Sequence, residues 1–497
     1  MSDLPHGKKH GDGNASQPAG LGSGAVWSIL DNLAQQVLSF MVFVVLARWV
    51  APAEFGQIAI AHVIVTFVRQ TVFDAITHPV ARTESPTDSL YSWAFWLCLG
   101  AALLMSALIL VSADAVSRFY AHPQLAQVLA WMSLVVMATG TAAVYEARLV
   151  RRMAFKPLAI RSIVSVSLGG GVGIAMALRG YGVMALVAQQ VITSCAALAL
   201  LVMQARWRPK FLARGLPWRE FVPNASRVSV TGFFSFLGSQ GDTVLVSIFM
   251  GSHATGIYSF AKRLVSAIYL VIGSSLLKLA IPAFASAGSS PVERADAYAR
   301  IVGTTVFLMA PLLAGLSLLA QPMINVFFGA VWLPAAPVVA LLSGLYLLLA
   351  ISQINDHLMF AIGARSIPVQ RGFAQTLLAL LLGWAGSYWG LVGTAAGFLA
   401  AGVLVWPWPQ ALANKSMNWN LRKLMLALKG PLVATLCMSL VLWSILLHAP
   451  QNLAALIVMV AVGGCVFLLS HWLVIRTSPA SHDALANLFH LRRPARI

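Results

Sequence analysis

Residues 90–112 read LYSWAFWLCLGAALLMSALILVS, twenty-three positions without one charged side chain. A helix needs about 20 apolar residues to cross the hydrocarbon of a bilayer, so this stretch reads as a transmembrane span. The same texture repeats on both sides of it. Apolar runs of spanning length fall at about 26–47, 54–78, 90–112, 124–146, 158–178, 183–204, 226–250, 256–281, 298–320, 332–354, 367–388, 391–411, 425–447 and 453–475. The chain reads as an all-α polytopic membrane protein of about fourteen transmembrane helices.

Composition agrees. Of 497 residues, 59% are hydrophobic and 10% are charged, whereas soluble proteins carry about 25% charged residues. This excludes soluble enzymes, nucleic-acid binders, secreted disulfide scaffolds and disordered chains. Cys98, Cys195, Cys437 and Cys465 all fall inside apolar runs, at no metal or redox spacing, and are expected to be packed small hydrophobes. No metal site and no cofactor motif is visible: the chain lacks G-x-x-x-x-G-K-[ST] and H-E-x-x-H.

The formal charge of +18 is placed asymmetrically. If the N-terminus is cytoplasmic and the loops alternate, 26 of the 33 Lys and Arg residues fall on the inner side, 3 fall outside (Arg48, Arg118, Arg179) and 4 lie within spans. That is the positive-inside bias. It predicts both termini in the cytoplasm and removes any need for a nucleic-acid partner; the bacterial cell inner (plasma) membrane is what the family resemblance given below implies. Residues 1–24 lack the apolar core of a signal peptide and are expected to be a disordered cytoplasmic tail. Residues 477–497 are expected to be a basic cytoplasmic tail.

The expected organisation is an N-lobe at 25–204 (spans 1–6), a basic cytoplasmic linker at 205–225, a C-lobe at 226–412 (spans 7–12), and spans 13–14 within 413–476. The linker carries Trp207, Phe211, Trp218 and Phe221 among basic residues, as a segment lying at the headgroup surface would. The two lobes look like a duplication. RWVAPAEFGQIAIA at 48–61 compares with SIFMGSHATGIYSFA at 247–261, so that Gly56 and Ala61 recur as Gly256 and Ala261, 200 residues on. Repeated lobes with a site between them are a transporter architecture.

Nine ionisable groups fall within or at the edges of spans: Asp31, Arg69, Asp74, Glu146, Asp242, Lys262, Arg263, Lys278 and Asp356. Each costs about 2.5–3.5 kcal/mol at mid-depth, against a typical folding stability of about 5–15 kcal/mol, so most must face water or one another. Glu146, Lys278 and Asp356 lie near helix ends, where snorkelling suffices. Counted from an outer turn near 252, Asp242 is level with Arg263, with Lys262 one step away; counted from a turn near 52, Asp31 is level with Asp74, and Arg69 with Gln35 and Gln36. Two readings fit. Asp242 with Arg263, and Arg69 with its acids, are structural ion pairs; or Arg69, Lys262 and Arg263 line a hydrated chamber that receives an anionic substrate, with Asp31, Asp74 and Asp242 gating or exchanging protons. Lys262 and Arg263 point about 100° apart on a helix, so one carboxylate does not easily neutralise both.

Other features weigh less. Gly169-x-x-x-Gly173 and Gly393-x-x-x-Gly397 fit close helix packing. Pro282, Pro311, Pro407 and Pro409 are candidate kinks. His62, His78 and His357 read as ordinary polar packing.

One stretch, RRMAFKPLAIRSIVSVSLGGGVGIAMALRGYGVMALVAQQ at 151–190, followed by RWRP at 206–209 and TGIYSFAKRL at 255–264, resembles the bacterial polysaccharide flippases, the lipopolysaccharide and exopolysaccharide translocases of the multidrug/oligosaccharidyl-lipid/polysaccharide exporter superfamily. The resemblance implies a V-shaped pair of six-helix lobes plus two C-terminal helices. It implies alternating access that turns a polyprenyl-pyrophosphate-linked oligosaccharide from the inner to the outer leaflet for surface polysaccharide biosynthesis, without enzymatic chemistry. Coupling to H⁺ or Na⁺ through Asp31, Asp74 or Asp242 and hand-off to a polysaccharide polymerase or export machinery are compatible with it. A pyrophosphate headgroup needs cations, and Arg69, Lys262 and Arg263 are the deepest available. A multidrug or small-solute antiporter of the same fold and a membrane glycan polymerase or ligase are the alternatives; the second wants a long outer loop, and the longest here is about 12 residues.

Overall fold

The computed structural model describes residues 21–83, 86–211, 218–286, 290–419, 421–448, 450 and 452–477. The expected cytoplasmic tails lie almost wholly outside the described residues. Every regular element among the described residues is helical: α1 (Leu21–Trp49), α2 (Pro52–Arg82), α3 (Asp88–Phe119), α4 (Gln124–Arg151), α5 (Phe155–Leu178), α6 (Val183–Ala205), α7 (218–250), α8 (252–286), α9 (Pro291–Leu318), α10 (Ala336–Ala361), α11 (Ser366–Ser387), α12 (Gly390–Ser416), α13 (Leu421–Leu446) and α14 (Leu453–Thr477). A short helix, Ala320–Phe327, and one 3₁₀ turn, Ala330–Ala335, lead into α10.

Eleven stretches among the described residues are long and apolar enough to cross a membrane. That figure takes Phe221–Gly273 as one run, ranks Ala34–Trp49 as shorter, and leaves out Ser366–Ser387; these are the places where it departs from the fourteen runs read in the sequence.

The duplication is visible in the backbone. Ala51 is extended (φ −72°, ψ 154°), because a residue before proline is pushed out of the α region, and Pro52 then starts α2. Glu54 accepts from the Ala51 N–H at 2.9 Å and caps the new helix. Two hundred residues later the break between α7 and α8 is a single residue, Gly251, at φ 76°, ψ −175°, a conformation essentially reserved for glycine. Each second arm then carries a π-helical turn at the same place, Arg69–Phe73 in α2 and Tyr269–Gly273 in α8.

The largest apolar cluster straddles the two halves near these breaks, on the side that the basic-residue distribution assigns to the exterior. Phe43 of α1, Phe55 of α2, Phe260 of α8, Phe328 and Trp332 form its aromatic heart. The Phe260 and Trp332 rings stack at 4.3 Å, and the Trp332 indole N–H donates to the Ala47 carbonyl at 2.7 Å. Above it, Tyr120 and His122, between α3 and α4, reach Ser247 (3.0 Å) and Ser252 (2.5 Å) of the other half.

The interlobe linker is packed against protein more closely than a segment lying free on a surface. Trp207 is buried among Tyr91, Phe95 and Tyr145, with the Arg148 guanidinium 5.1 Å above its ring. Arg148 in turn pairs with Asp88 at 2.6 Å. The Lys210 N–H donates to Ser92 Oγ (3.1 Å), and the Trp96 indole donates to the Lys210 carbonyl (3.2 Å), so the RWRPK segment is strapped across α3 and α4. Phe221, also buried, meets Trp93. Trp207 and Phe221 are covered by other rings and, for Trp207, by a cation. Phe211 alone of the expected surface aromatics is exposed; the Trp218 side chain lies outside the described residues.

All four cysteines are free, and two differ from expectation: Cys98 is buried, but Cys195 and Cys465 are exposed on their helices. The first small-residue pair behaves as expected, with Gly169 and Gly173 closing on Thr193 and Gln189 of α6. In the second, Gly393 and Gly397 close on Gly386 and Leu382 of α11.

Candidate functional site

The π turn of α2 begins at Arg69, and the equivalent stretch of α8 opens just below Lys262 and Arg263. A π turn inserts an extra residue into the helical register, and such insertions cluster at functional sites. The three cations come from different halves of the chain, yet all lie within electrostatic reach of one imidazole, His62 of α2. Gln190 of α6 completes the group, its amide 3.4 Å from His62 Nδ1.

Lys262 and Arg263 are bound differently. The Lys262 ammonium donates to Asp242 Oδ1 at 2.7 Å and to the Ser239 carbonyl at 2.7 Å, both on α7. Asp242 is filled from every side. It also accepts from the Thr243 N–H (2.7 Å), the Thr243 hydroxyl (3.2 Å) and the buried Tyr258 hydroxyl (2.8 Å). The structural pair expected of Asp242 and Arg263 is therefore formed by Lys262 instead. Depth alone does not distinguish the two, but the rotation of about 100° between neighbours turns Lys262 toward α7 and Arg263 away from it.

Arg263 crosses to the other half. Its guanidinium donates to the Ser39 carbonyl of α1 at 3.2 Å and lies 5.0 Å over the Phe43 ring. Among the described residues neither Arg263 nor Arg69 has a carboxylate within ion-pair distance. Both remain exposed, as does His62, although all three sit in the body of the helix bundle. The expected pairing of Arg69 with acids is thus not formed among these residues.

Asp74 closes the π turn of α2. The charged groups within reach of it are His78, Arg69 and Glu146, and Glu146 itself pairs with Arg161 at 3.2 Å. Asp356 forms a two-pronged pair with Arg371, with contacts of 2.8, 3.1 and 2.6 Å. Asp31 lies on α1, and its side chain, like that of Lys278, is outside the described residues. Among the described residues no group of three or more His, Cys, Asp or Glu is arranged to hold a metal ion.

The sequence reading took His62 for ordinary polar packing and passed over Gln190 and Tyr258. For His62 a signal existed: adding the 200-residue offset to it gives Lys262. The two stand at equivalent points of the repeated hairpins.

Of the three cations, Lys262 is paired with Asp242, while Arg69 and Arg263 have no carboxylate partner among the described residues. An arginine free of a carboxylate can take a phosphate through two parallel hydrogen bonds.

Comparison with known proteins bears on the family and the fold. The family described as polysaccharide biosynthesis protein matches residues 45–337. The succinoglycan biosynthesis transport protein ExoT of Rhizobium meliloti is 30% identical over 321 residues, 64% of this chain and 64% of that relative, so the match spans just under two thirds of its length. The lipopolysaccharide biosynthesis protein WzxC of Escherichia coli is 19% identical over 390 residues, 77% of this chain and 78% of that one. Among solved structures, the lipid II flippase MurJ in an inward closed conformation superposes with a TM-score of 0.70 at 15% identity, over 92% of this chain and 98% of that one. A multidrug resistance MATE family transporter in an outward-facing conformation gives 0.54 at 14% identity, over 80% and 95%. At these identities the structural likeness speaks to the fold.

Proposed function

The chain belongs to the polysaccharide biosynthesis protein family, and from that membership we propose that it flips a polyprenyl-pyrophosphate-linked oligosaccharide from the inner to the outer leaflet of a bacterial inner membrane, by alternating access between its two halves. Its family and structural neighbours are flippases and transporters, and the chain is a multi-pass membrane protein of that kind, not an enzyme.

The substrate reading is supported by Arg69 and Arg263, which come from opposite halves, lie within electrostatic reach of His62 and have no carboxylate partner among the described residues, with Lys262 next to Arg263 in the chain. A pyrophosphate held between the halves would contact both at once. Differential affinity for the ligand in two arrangements is what shifts such an equilibrium. Asp242, with its lone pairs taken by four donors, serves to position Lys262; coupling to H⁺ or Na⁺ falls to Asp74, which has no such set among the described residues. Both termini would face the cytoplasm, and the product would be handed to a polymerase or export assembly outside.

A multidrug or small-solute antiporter of the same fold is supported by one fact, that Lys262 is already neutralised by Asp242. Arg263 and Arg69 weigh against it. The deciding experiment deletes the gene and identifies the lipid-linked glycan that accumulates on the inner leaflet. Absence of any accumulating lipid-linked glycan, with a change in drug or solute efflux instead, favours the antiporter.

A further inference from the structure

Lys262 and Arg263 are consecutive on α8, yet one is held by its own half of the molecule and the other by the opposite half. We infer that Arg263 is a substrate-sensing tie between the halves, which an incoming pyrophosphate withdraws from α1, loosening the aromatic seal through Phe43. This rests on the pyrophosphate reading given above.

The tie is made of neutral partners. A guanidinium offers five N–H donors in a fixed fork, and among the described residues it is engaged by one backbone carbonyl, Ser39, and one ring face, Phe43. The Ser39 carbonyl lies inside α1, where the helix already supplies an N–H from four residues on, so this acceptor is shared. Hydrogen bonds between charged partners are roughly twice as strong as neutral ones, and a phosphate engages both prongs of the fork. Pyrophosphate therefore outcompetes Ser39. Lys262 behaves otherwise, because the Asp242 carboxylate holds it with a full charge and a second contact comes from Ser239. Arg263 yields first.

Phe43 carries the consequence outward. The ring beneath Arg263 also touches Phe55 (5.9 Å), Phe260 (5.5 Å) and Phe328 (6.2 Å), the rings that close the outer side. One side chain thus belongs to both the cation's support and the seal. Withdrawal of the guanidinium frees the inner face of that ring and slackens the hold of α1 on α8.

The test uses the full chain in lipid nanodiscs, its native cysteines replaced by alanine, with spin labels at the exposed positions Val37→Cys and Leu270→Cys on either side of this seam. Farnesyl pyrophosphate, inorganic pyrophosphate and farnesol are the probes. Farnesyl pyrophosphate is expected to lengthen the distance between labels in the parent protein, and farnesol to leave it unchanged. Arg263→Gln should show the longer distance without ligand, should not respond further, and should bind farnesyl pyrophosphate about tenfold more weakly through loss of the charged fork. Phe43→Leu, which keeps a packed apolar side chain, should also lengthen the resting distance while binding as tightly as the parent. A resting distance in Arg263→Gln equal to that of the parent overturns the tie. If neither pyrophosphate binds the parent but Arg263→Gln still loosens the seam, the tie stands and the pyrophosphate reading falls. A response to inorganic pyrophosphate alone assigns recognition to the headgroup without the lipid.

Discussion

Gly56 and Gly256 face each other where α2 crosses α8, and their contact is reciprocal. A Cβ on Gly56 would lie 1.7 Å from the Ser252 carbonyl oxygen, and a Cβ on Gly256 would lie 1.8 Å from that of Pro52. Residue pairs 56–252 and 256–52 are the same contact read from each half, which places a pseudo-twofold axis through this crossing. Backbone meets backbone there, with no side chain to yield.

Gly256→Val is therefore expected to prevent closure of the outer side. Overpacking costs about 1–3 kcal/mol, here charged to one arrangement of the halves and not the other. A disulfide between His122→Cys and Ser252→Cys, at a pair now in contact, should form readily in the parent background and several-fold less in the Gly256→Val background.

Replacing the members of the Asp242–Lys262 pair should have unequal effects. In Lys262→Ala the carboxylate keeps Tyr258 and Thr243 as donors. In Asp242→Asn the ammonium loses its only counter-charge among the described residues, and hydrogen bonds to charged groups contribute about 1.5–3 kcal/mol. Thermal unfolding in detergent should rank Asp242→Asn below Lys262→Ala, and the double alanine variant should be less destabilised than the sum of the singles.

Arg69→Ala tests recognition apart from stability. Arg69 is exposed and makes no ion pair among the described residues, so its loss should change stability by no more than about 0.5 kcal/mol. Lipid-linked glycan should nonetheless accumulate on the inner leaflet, with export at least about tenfold down if one charged contact of about 1.5–3 kcal/mol is lost. Wild-type export from this variant would remove Arg69 from the site.

Trp207→Ala should release the linker strap. Truncating a buried aromatic costs about 3–5 kcal/mol, and the Arg148 guanidinium loses the ring over which it is packed. Limited proteolysis should cut near residues 206–211 in the variant and spare the parent, while Trp207→Phe restores most of the protection.

Spans and their duplication were legible in the sequence because a bilayer imposes length and hydropathy on every crossing, and because Gly56 and Gly256 each answer to a backbone approach that admits no side chain. Depth was legible too: counting from the turns put Asp242, Lys262 and Arg263 on one level, and the structure keeps them together. Azimuth was not. Which of two adjacent cations turns toward Asp242 depends on the rotation of α8 against α7, set by Tyr258 and by the single-residue break at Gly251. The burial of Trp207 was equally hidden, since an aromatic among arginines reads as interfacial until the pocket formed by Tyr91, Phe95 and Tyr145 is known.

The paired π turns carry one more consequence. Related positions along the two hairpins hold unlike chemistry: His62 opposite Lys262, Arg69 opposite Tyr269. A symmetric frame lined with unmatched groups gives a bound molecule only one favourable way round. Cargo seated on the axis therefore enters with a defined heading, as a key cut on one edge does, and that heading is written into a scaffold whose backbone is indifferent to it.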